Sequence, residues 1–535
     1  MLAETHRILS LPSRALPTLP AWAVGLREVQ VRALAECQRA GGLLGIIGCG
    51  QGKALISFLC PTVLGAQRPV LLVPAGVVAQ TLREVARWRQ SYPIPGNLEV
   101  VSYSALSTER GWAAFERLDA DCIVADEAHH LRHPTAARTR RLLGWYQAHP
   151  SCRFVALSGT MASRSLREVG HLAELALRER SPLPQDWHVL EAWCAHVDHT
   201  GANNEPPTPA QRAIWAPVRK KYGGASDREA ARRLLQSSDG VVCTADSSAA
   251  ECSLRIQHVR LQAPDELREA ARQLDTQWRL PDGEDLLRAT DVAWQRRCLH
   301  SGYYLRHDWQ HPGWQQHREA RAQWAACLDE VLASGRAGID SRGQAEAWVR
   351  SSGQPRYARA LYAWEAVAQS LDAHGQPVWL STAWVRKVAD YARFLEEQRD
   401  SAVLIWTETP AMRAELGRQG MHVVGLDDTP PPQRTCVVSR RSHGTGLNLQ
   451  GYNTCLLAEQ PTSADAWEQL LARVHRVGQL ADDVLFVVPY WQHSVLRHFD
   501  QARAQAAFIQ ETTSQTQKLL LASHEWDLTK QKEDD

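Results

Sequence analysis

Apolar residues recur along this chain in two long blocks with a different stretch between them. In the first block, residues 43–47, 69–74, 98–103, 122–125 and 153–157 are short apolar runs of strand length. Helical spacing fills the intervals at 26–40, 54–59 and 77–88, and Gly41-Gly42 ends the first of these helices. Strands that alternate with helices predict a parallel α/β sheet covered on both faces. The pattern returns near the other end. Residues 377–380, 402–406, 422–424, 436–438, 455–457 and 485–488 read as strands, with helices to 398, at 411–419 and through 469–476. The run 485–488 is expected to close this second sheet.

The middle has another character. From Ser181 onward prolines, tryptophans and charged helices replace the alternation. Residues 254–261 alternate like a strand where the chain leaves the first block. The stretch 264–376 is helix-rich and carries Trp278, Trp294, Trp309, Trp314, Trp324, Trp348 and Trp364. With 20 tryptophans in the chain, burial in a helical core is the expected use, ahead of stacking on bases. The resulting organisation is an N-terminal extension (1–19), a first α/β lobe (20–180), a helical and basic extension of it (181–262), a helical insertion (263–376), a second α/β lobe (377–500), and a C-terminal helix with a polar tail (501–535).

Composition narrows the class. The 535 residues suggest roughly three to four domain-sized units. A net charge of +1 gives no global basic field, so contact with nucleic acid would have to come from local clefts. The 12 cysteines are scattered without a CxxC pair, as in reduced intracellular proteins. The first 20 residues lack a continuous apolar core, and no run approaches a membrane span, so the expectation is a cytoplasmic protein without a membrane partner.

Candidate chemistry lies at the strand ends. Gly48-Cys49-Gly50-Gln51-Gly52-Lys53 follows a strand and opens a helix, the context of a phosphate-binding loop. Its glycines let N–H groups turn inward, and a helix start adds partial positive charge. The next residue is Ala54, where such loops usually carry a Mg²⁺-binding Ser or Thr. Water can take that position, because Mg²⁺ commonly keeps several waters. Asp126-Glu127-Ala128-His129 follows the run 122–125, which puts two carboxylates at the tip of a buried strand. One acid suits Mg²⁺ and the other suits an attacking water. Ser158-Gly159-Thr160 ends the fifth strand. In the second block, Gln469, Arg473 and Arg476 are spaced to share a helical face. Other features read as ordinary surface or helix residues or carry even weight: Ser102 and Ser104, the basic groups Arg138, Arg140 and Arg141, Arg219-Lys220-Lys221 and Arg232-Arg233, and the trio Cys194, His196 and His199, which lacks a fourth ligand for zinc.

Taken in order, these motifs resemble superfamily 2 helicases, and within them the Swi/Snf-type translocases. The resemblance runs through Leu26-Arg27-Glu28-Val29-Gln30, Gly50-Gln51-Gly52-Lys53, Asp126-Glu127-Ala128-His129 and Leu157-Ser158-Gly159-Thr160. It continues through Gly444-Thr445-Gly446-Leu447-Asn448-Leu449-Gln450 and the run from Gln469 to Gln479, whose HRxGQ ending is its most specific piece. The compact form is closest in character to phage and prophage DEAH-containing helicases. The resemblance implies two RecA-like lobes and an ATP- and Mg²⁺-dependent DNA motor, with duplex favoured over single strands. It implies that Gln30 reads adenine, that Gly48, Gly50, Gln51, Gly52, Lys53 and Ala54 hold the nucleotide, that Asp126 positions Mg²⁺, and that Glu127 is the general base. Ser158, Gly159 and Thr160 would couple nucleotide state to DNA grip. Gly444, Thr445, Gly446 and Asn448 would lie between DNA and nucleotide, and Gln469, Arg473 and Arg476 would complete the site when the lobes close. The insertion would offer a surface for a protein partner. Two rival readings use the same residues: a strand-separating helicase, with the insertion as its wedge, and a silent DNA-binding or assembly subunit. Ala54 favours the silent subunit; the intact acid and arginine pairs oppose it.

Overall fold

The computed structural model describes all residues except 12–14, 49, 160, 163–164, 199–205, 245–251, 308–314, 335–338, 340–341, 369–374, 426–427, 445–446, 477 and 527–535. Trp309, Trp314, His199, Thr160, Thr445, Gly446 and the tail 530–535 therefore lie outside the described residues.

The first sheet is built from β1 (Leu43–Ile46), β2 (Pro69–Val73), β3 (Glu99–Ser102), β4 (Cys122–Asp126), β5 (Arg153–Ser158) and β6 (Val241–Cys243). Their order is β3-β2-β4-β5-β1-β6, and every pairing is parallel. Successive side chains point to opposite faces of a strand, so one run feeds two cores. Leu44, Ile46, Ile123, Ala125 and Phe154 join one cluster, and Leu43, Cys122, Val124, Val155 and Leu157 join the other. That is why these strands are apolar throughout instead of alternating.

The chain continues through β7 (Ser253–Arg260), β8 (Tyr303–Arg306), β9 (Gln376–Trp379), β10 (Val403–Thr407), β11 (His422–Val423), β12 (Cys436–Ser439), β13 (Thr454–Leu457), β14 (Asp483–Tyr490) and β15 (Ser523–Trp526). The second sheet has the order β11-β12-β10-β13-β14-β7-β15, again with parallel pairings. The chain is thus α/β, with two parallel-stranded sheets flanked by helices.

The connectivity departs from the sequence expectation in four places. β7, assigned above to the extension of the first lobe, pairs along its whole length with β14, from Ser253↔Asp483 to Arg260↔Tyr490. Leu254 and Ile256 enter the second core. The stretch 263–376 therefore falls in the chain between β7 and β10, both strands of the second sheet, and not between the strands of the two sheets. β14 does not close the sheet, because β7 and β15 extend it. Residues 377–379 do not open it either. They pair antiparallel with β8 in a two-stranded ribbon, and the Gln295 side chain bonds both the N–H and the carbonyl of Leu305 in that ribbon.

The helices Gln315–Ala333 and Pro355–Ala368 pack on each other around Trp324 and Trp364, both fully buried. Trp193, Trp215, Trp384, Trp406 and Trp467 are also fully buried, whereas Trp187 is exposed. Among the described residues no helix is long and apolar enough to cross a membrane.

The helix His493–Thr513 ties the two units together. Phe499, Ala502, Ala506 and Ile509 fill the second core, while Phe508 of the same helix is buried in the first. Arg228 of the helix Asp227–Ser237 pairs with Glu511 at 2.6 Å, and the Gln236 amide donates to Ser514 Oγ at 2.9 Å. Phe508→Ala is expected to lower unfolding stability by about 3–5 kcal/mol, and Phe508→Leu by about 1.5 kcal/mol or less, both read from urea melts.

Candidate functional site

The carboxyl edge of the first sheet gathers the site. Since β5 lies between β4 and β1, with Asp126 paired to Leu157 and Ile46 to Ser158, the turns after β1, β4 and β5 are neighbours. The turn after β1 is tightly folded. Gly50 and Gly52 have φ of 82° and 79°, in the left-handed region that favours glycine. A Cβ on Gly52 would lie 2.4 Å from Gln30 Nε2. Gln30 is buried, donates to the Gly52 carbonyl at 3.2 Å and accepts from Arg27 N–H at 3.0 Å. Arg27 in turn donates to the Gly50 carbonyl at 3.0 Å. Gln30, which the resemblance implies for adenine, here braces the turn from the start of the helix Glu28–Ala40.

Lys53 opens the helix Lys53–Leu64, and its ammonium donates to the carbonyls of Ile47 at 3.0 Å and Gly48 at 3.3 Å. Thr244, just past β6, was not singled out from the sequence. Its hydroxyl accepts from Gly48 N–H at 2.9 Å, and its own N–H donates to the Ile46 carbonyl. It stands 196 residues from Gly48, and no local pattern announces it. Ala54 is half-buried. The nearest hydroxyl on its helix, Ser57, donates to the Ala54 carbonyl at 2.7 Å and does not stand in for the missing side chain.

The acids occupy the tip of β4. Asp126 is its last residue, and Glu127 adopts φ 56°, ψ 51°, a left-handed conformation that raises the backbone energy by roughly 1–3 kcal/mol in a non-glycine residue. That turn is fastened by Glu127 N–H donating to Asp126 Oδ1 at 3.2 Å and by the Tyr103 hydroxyl donating to the Asp126 carbonyl at 2.7 Å. His129 Nδ1 lies 3.0 Å from Ser158 Oγ and 3.4 Å from Glu127 Oε2, and the Ser158 hydroxyl reaches Glu127 Oε2 at 3.5 Å. Ser158 thus contacts both Glu127 and His129, and buried Gly159 follows it.

The two carboxyls differ in charge. Burial, then the neighbouring Glu127 charge, raises Asp126 to about 7 against the opposing pull of Lys53. Burial would also raise Glu127, but Lys53, His129 and Arg473 outweigh it and hold this carboxyl well below the usual range. His130, stacked on Tyr103 at 5.1 Å, is lowered to about 4, first by burial and then by the neighbouring cations.

Arg473 comes from the second sheet's side, near the end of the helix Ala464–Val474. Its guanidinium donates to the carbonyls of Gly444 at 2.9 Å and Leu447 at 3.4 Å. Arg476 was expected on the same helical face. The helix ends at Val474, and Arg476 lies beyond it, bonding Asn448 Oδ1. The two arginines therefore bind Gly444, Leu447 and Asn448 at the end of the helix. Gln469 is half-buried on that helix.

Two further groups fix the helix, and neither was singled out from the sequence. Arg132, in the turn after the acids, forms an ion pair with buried Asp465 in the first turn of the helix. Behind it, Lys518 N–H donates to Glu468 Oε2 at 2.7 Å, Lys518 Nζ lies 3.3 Å from His475 Nδ1, and His475 Nε2 lies 3.0 Å from the Cys252 carbonyl.

Other sequence candidates lie elsewhere in local structure. Arg138 donates to the His130 carbonyl, Arg141 pairs with Glu109, and Arg233 pairs with Glu229. Ser102 Oγ and Ser104 Oγ lie 3.0 Å apart within a turn. His196 stacks on Trp215 and lies 3.3 Å from Asp227, while Cys194 lies near the Ser165 hydroxyl.

The site combines a glycine turn with a lysine, an ionised carboxylate, a second carboxyl whose negative charge is disfavoured by burial, and an arginine from the other unit. The turn and Lys53 suit an anion. Asp126 suits a cation, which would relieve its buried charge. Among the described residues no three His, Cys, Asp or Glu side chains converge as a metal cage.

Glu468 gives a pH test of the framework. Burial raises it to about 7 against the opposing Lys518 charge. Its folded-state pKa then exceeds the unfolded value of about 4.3, so the stability it contributes is present below that value and is lost as pH rises toward 7. Glu468→Gln is expected to remove this dependence. Urea melts should show the variant gaining on wild type, on the order of 1–3 kcal/mol, between pH of about 4 and about 7. No family model and no curated protein matches the chain, so the side-chain arrangement has to carry the functional argument.

Proposed function

We propose that the chain is an ATP-dependent motor on duplex DNA, built from two RecA-like lobes of the superfamily 2, Swi/Snf-like type. One observation carries this reading: the helix Ala464–Val474, which bears Arg473, is tied by the Arg132–Asp465 ion pair to the turn that follows Asp126 and Glu127, so the arginine and the acids lie on facing sides of one junction. An acid, a lysine-bearing glycine turn and an arginine from a separate unit are the parts that phosphoryl transfer uses.

In this proposal the turn's N–H groups and Lys53 hold the phosphates of ATP. Lys53 would exchange its bonds to the Ile47 and Gly48 carbonyls for phosphate oxygens. Asp126 would hold Mg²⁺, which supplies charge neutralisation at the phosphates when bound. Glu127, ionised and oriented by His129 and Ser158, would accept the proton of an attacking water. Arg473 and Arg476 would stabilise negative charge developing in the transition state, and the residues they bond, Gly444, Leu447 and Asn448, would pass the change to DNA phosphates. Opening and closing of the lobes would then step the protein along a backbone. The helices between β7 and β9 are the surface proposed for a protein partner.

The test is ATP turnover without nucleic acid, with single-stranded DNA and with duplex DNA. Duplex should stimulate most, and Glu127→Gln should lower turnover by roughly 100-fold or more while ATP still binds. Turnover indifferent to every nucleic acid would sink the DNA-motor reading. Stimulation by single strands alone would favour a strand-separating helicase. Ala54→Thr supplies the hydroxyl that water replaces in this reading. It is expected to lower the Mg²⁺ concentration for half-maximal turnover several-fold, and an unchanged Mg²⁺ titration would show the hydroxyl to be dispensable here.

A further inference from the structure

The second unit opens at its surface, beside the end of β7, into a cavity of about 570 Å³. That volume falls within the roughly 300–1,000 Å³ typical of small-ligand sites. Three cations line it, Arg260, Arg268 and Lys387, together with three aromatic rings, Tyr391, Phe394 and Trp491. Lys387, Tyr391 and Phe394 follow one another at spacings of four and three on the helix Ala383–Arg399, so one helical face presents them in a row. The one carboxylate among the described lining residues, Asp390, is paired with Arg393 at 2.7 Å.

The groups are arranged for a ligand that is both anionic and flat. Arg260 ends β7 and is exposed. Lys387 Nζ is anchored at the wall by the Gln262 carbonyl at 2.6 Å. Arg268 is paired with exposed Asp265, an interaction that water and salt weaken. Phe394 is 47% exposed, unusual for so large an apolar ring, and its ring lies 5.5 Å from that of Tyr391. Trp491 is held in place by its Nε1 bond to the His300 carbonyl at 2.9 Å and by stacking on His300.

We propose that this cavity takes one unpaired nucleotide of a nucleic-acid strand, with the phosphate between Arg260 and Lys387 and the base against Tyr391 and Phe394. Guanidinium and ammonium groups bind phosphate whatever the sequence, and every base has a face that stacks on a ring. A base stacked inside a duplex cannot offer that face, so the site selects single strand over duplex. The proposal lies on the second unit alone and does not rest on the ATP-motor reading.

The experiment uses the full chain, as wild type, Phe394→Ala and Arg260→Gln, both changes at exposed positions. Fluorescence anisotropy is read with a labelled oligothymidylate of about 20 nucleotides, with the matching duplex, and in competition with thymidine monophosphate. Phe394→Ala is expected to weaken single-strand binding roughly tenfold and to leave duplex binding unchanged. Arg260→Gln is expected to weaken single-strand binding and to reduce its salt slope by about one. Single-strand affinity equal in all three proteins overturns the proposal. A loss confined to the free mononucleotide overturns the strand as occupant, and an equal loss on duplex with Phe394→Ala overturns the unpaired base. Duplex-stimulated ATP turnover on the same samples separates the readings, since its presence with unchanged single-strand affinity removes this proposal alone.

Discussion

Two adjacent carboxyls at the buried end of a strand repel each other, and burial penalises each charge further. The Asp126–Glu127 pair is therefore a demand for positive charge, and much of the molecule is arranged around meeting it. Lys53 answers from the turn after β1, His129 from the acids' own turn, and Arg473 from the helix Ala464–Val474 of the second unit. The result is asymmetric. Glu127 holds its charge, and Asp126 is left titrating near neutrality. The parallel order β4-β5-β1 makes this possible, because it sets the ends of three strands next to one another.

The second unit is joined to the first at more than one place. Arg132 and Asp465 link the acids' turn to the first turn of the arginine-bearing helix. The helix His493–Thr513 gives one ring, Phe508, to the first core and several side chains to the second. Lys518 and His475 fasten the arginine-bearing helix from behind. The position of Arg473 relative to Glu127 is thus fixed by contacts spread from residue 132 to residue 518, and local sequence cannot encode such a relation.

Where most strands lie was legible in the sequence, because a strand buried on both faces is an apolar run whatever its partners, although the short β6 and β8 were not read as strands. Their partners were less so. β7 was visible as an alternating segment, but its pairing with β14 joins residues more than 200 apart, and the opposite assignment was equally consistent with its pattern. β15, Ser523-His524-Glu525-Trp526, has no apolar signature and is a strand only because β7 offers it an edge. Among the described residues the tryptophans followed the usual preference of large rings for burial, with Trp187 as the exposed exception.

The candidate site divides along the same line. Glycine turn, lysine, acid pair and arginines were readable by type and spacing, since each needs only its immediate neighbours to be recognised. Thr244 on the Gly48 amide, Gln30 as a brace of the turn, Arg132 on Asp465 and the end of the helix before Arg476 were not. Hydrophobic period and turn chemistry are local, so the order of residues already shows which groups are available and, for most, the kind of element that carries them. Which groups meet, and which of the two acids keeps its charge, depends on burial and on the field of distant cations, and these exist only once the chain has closed on itself.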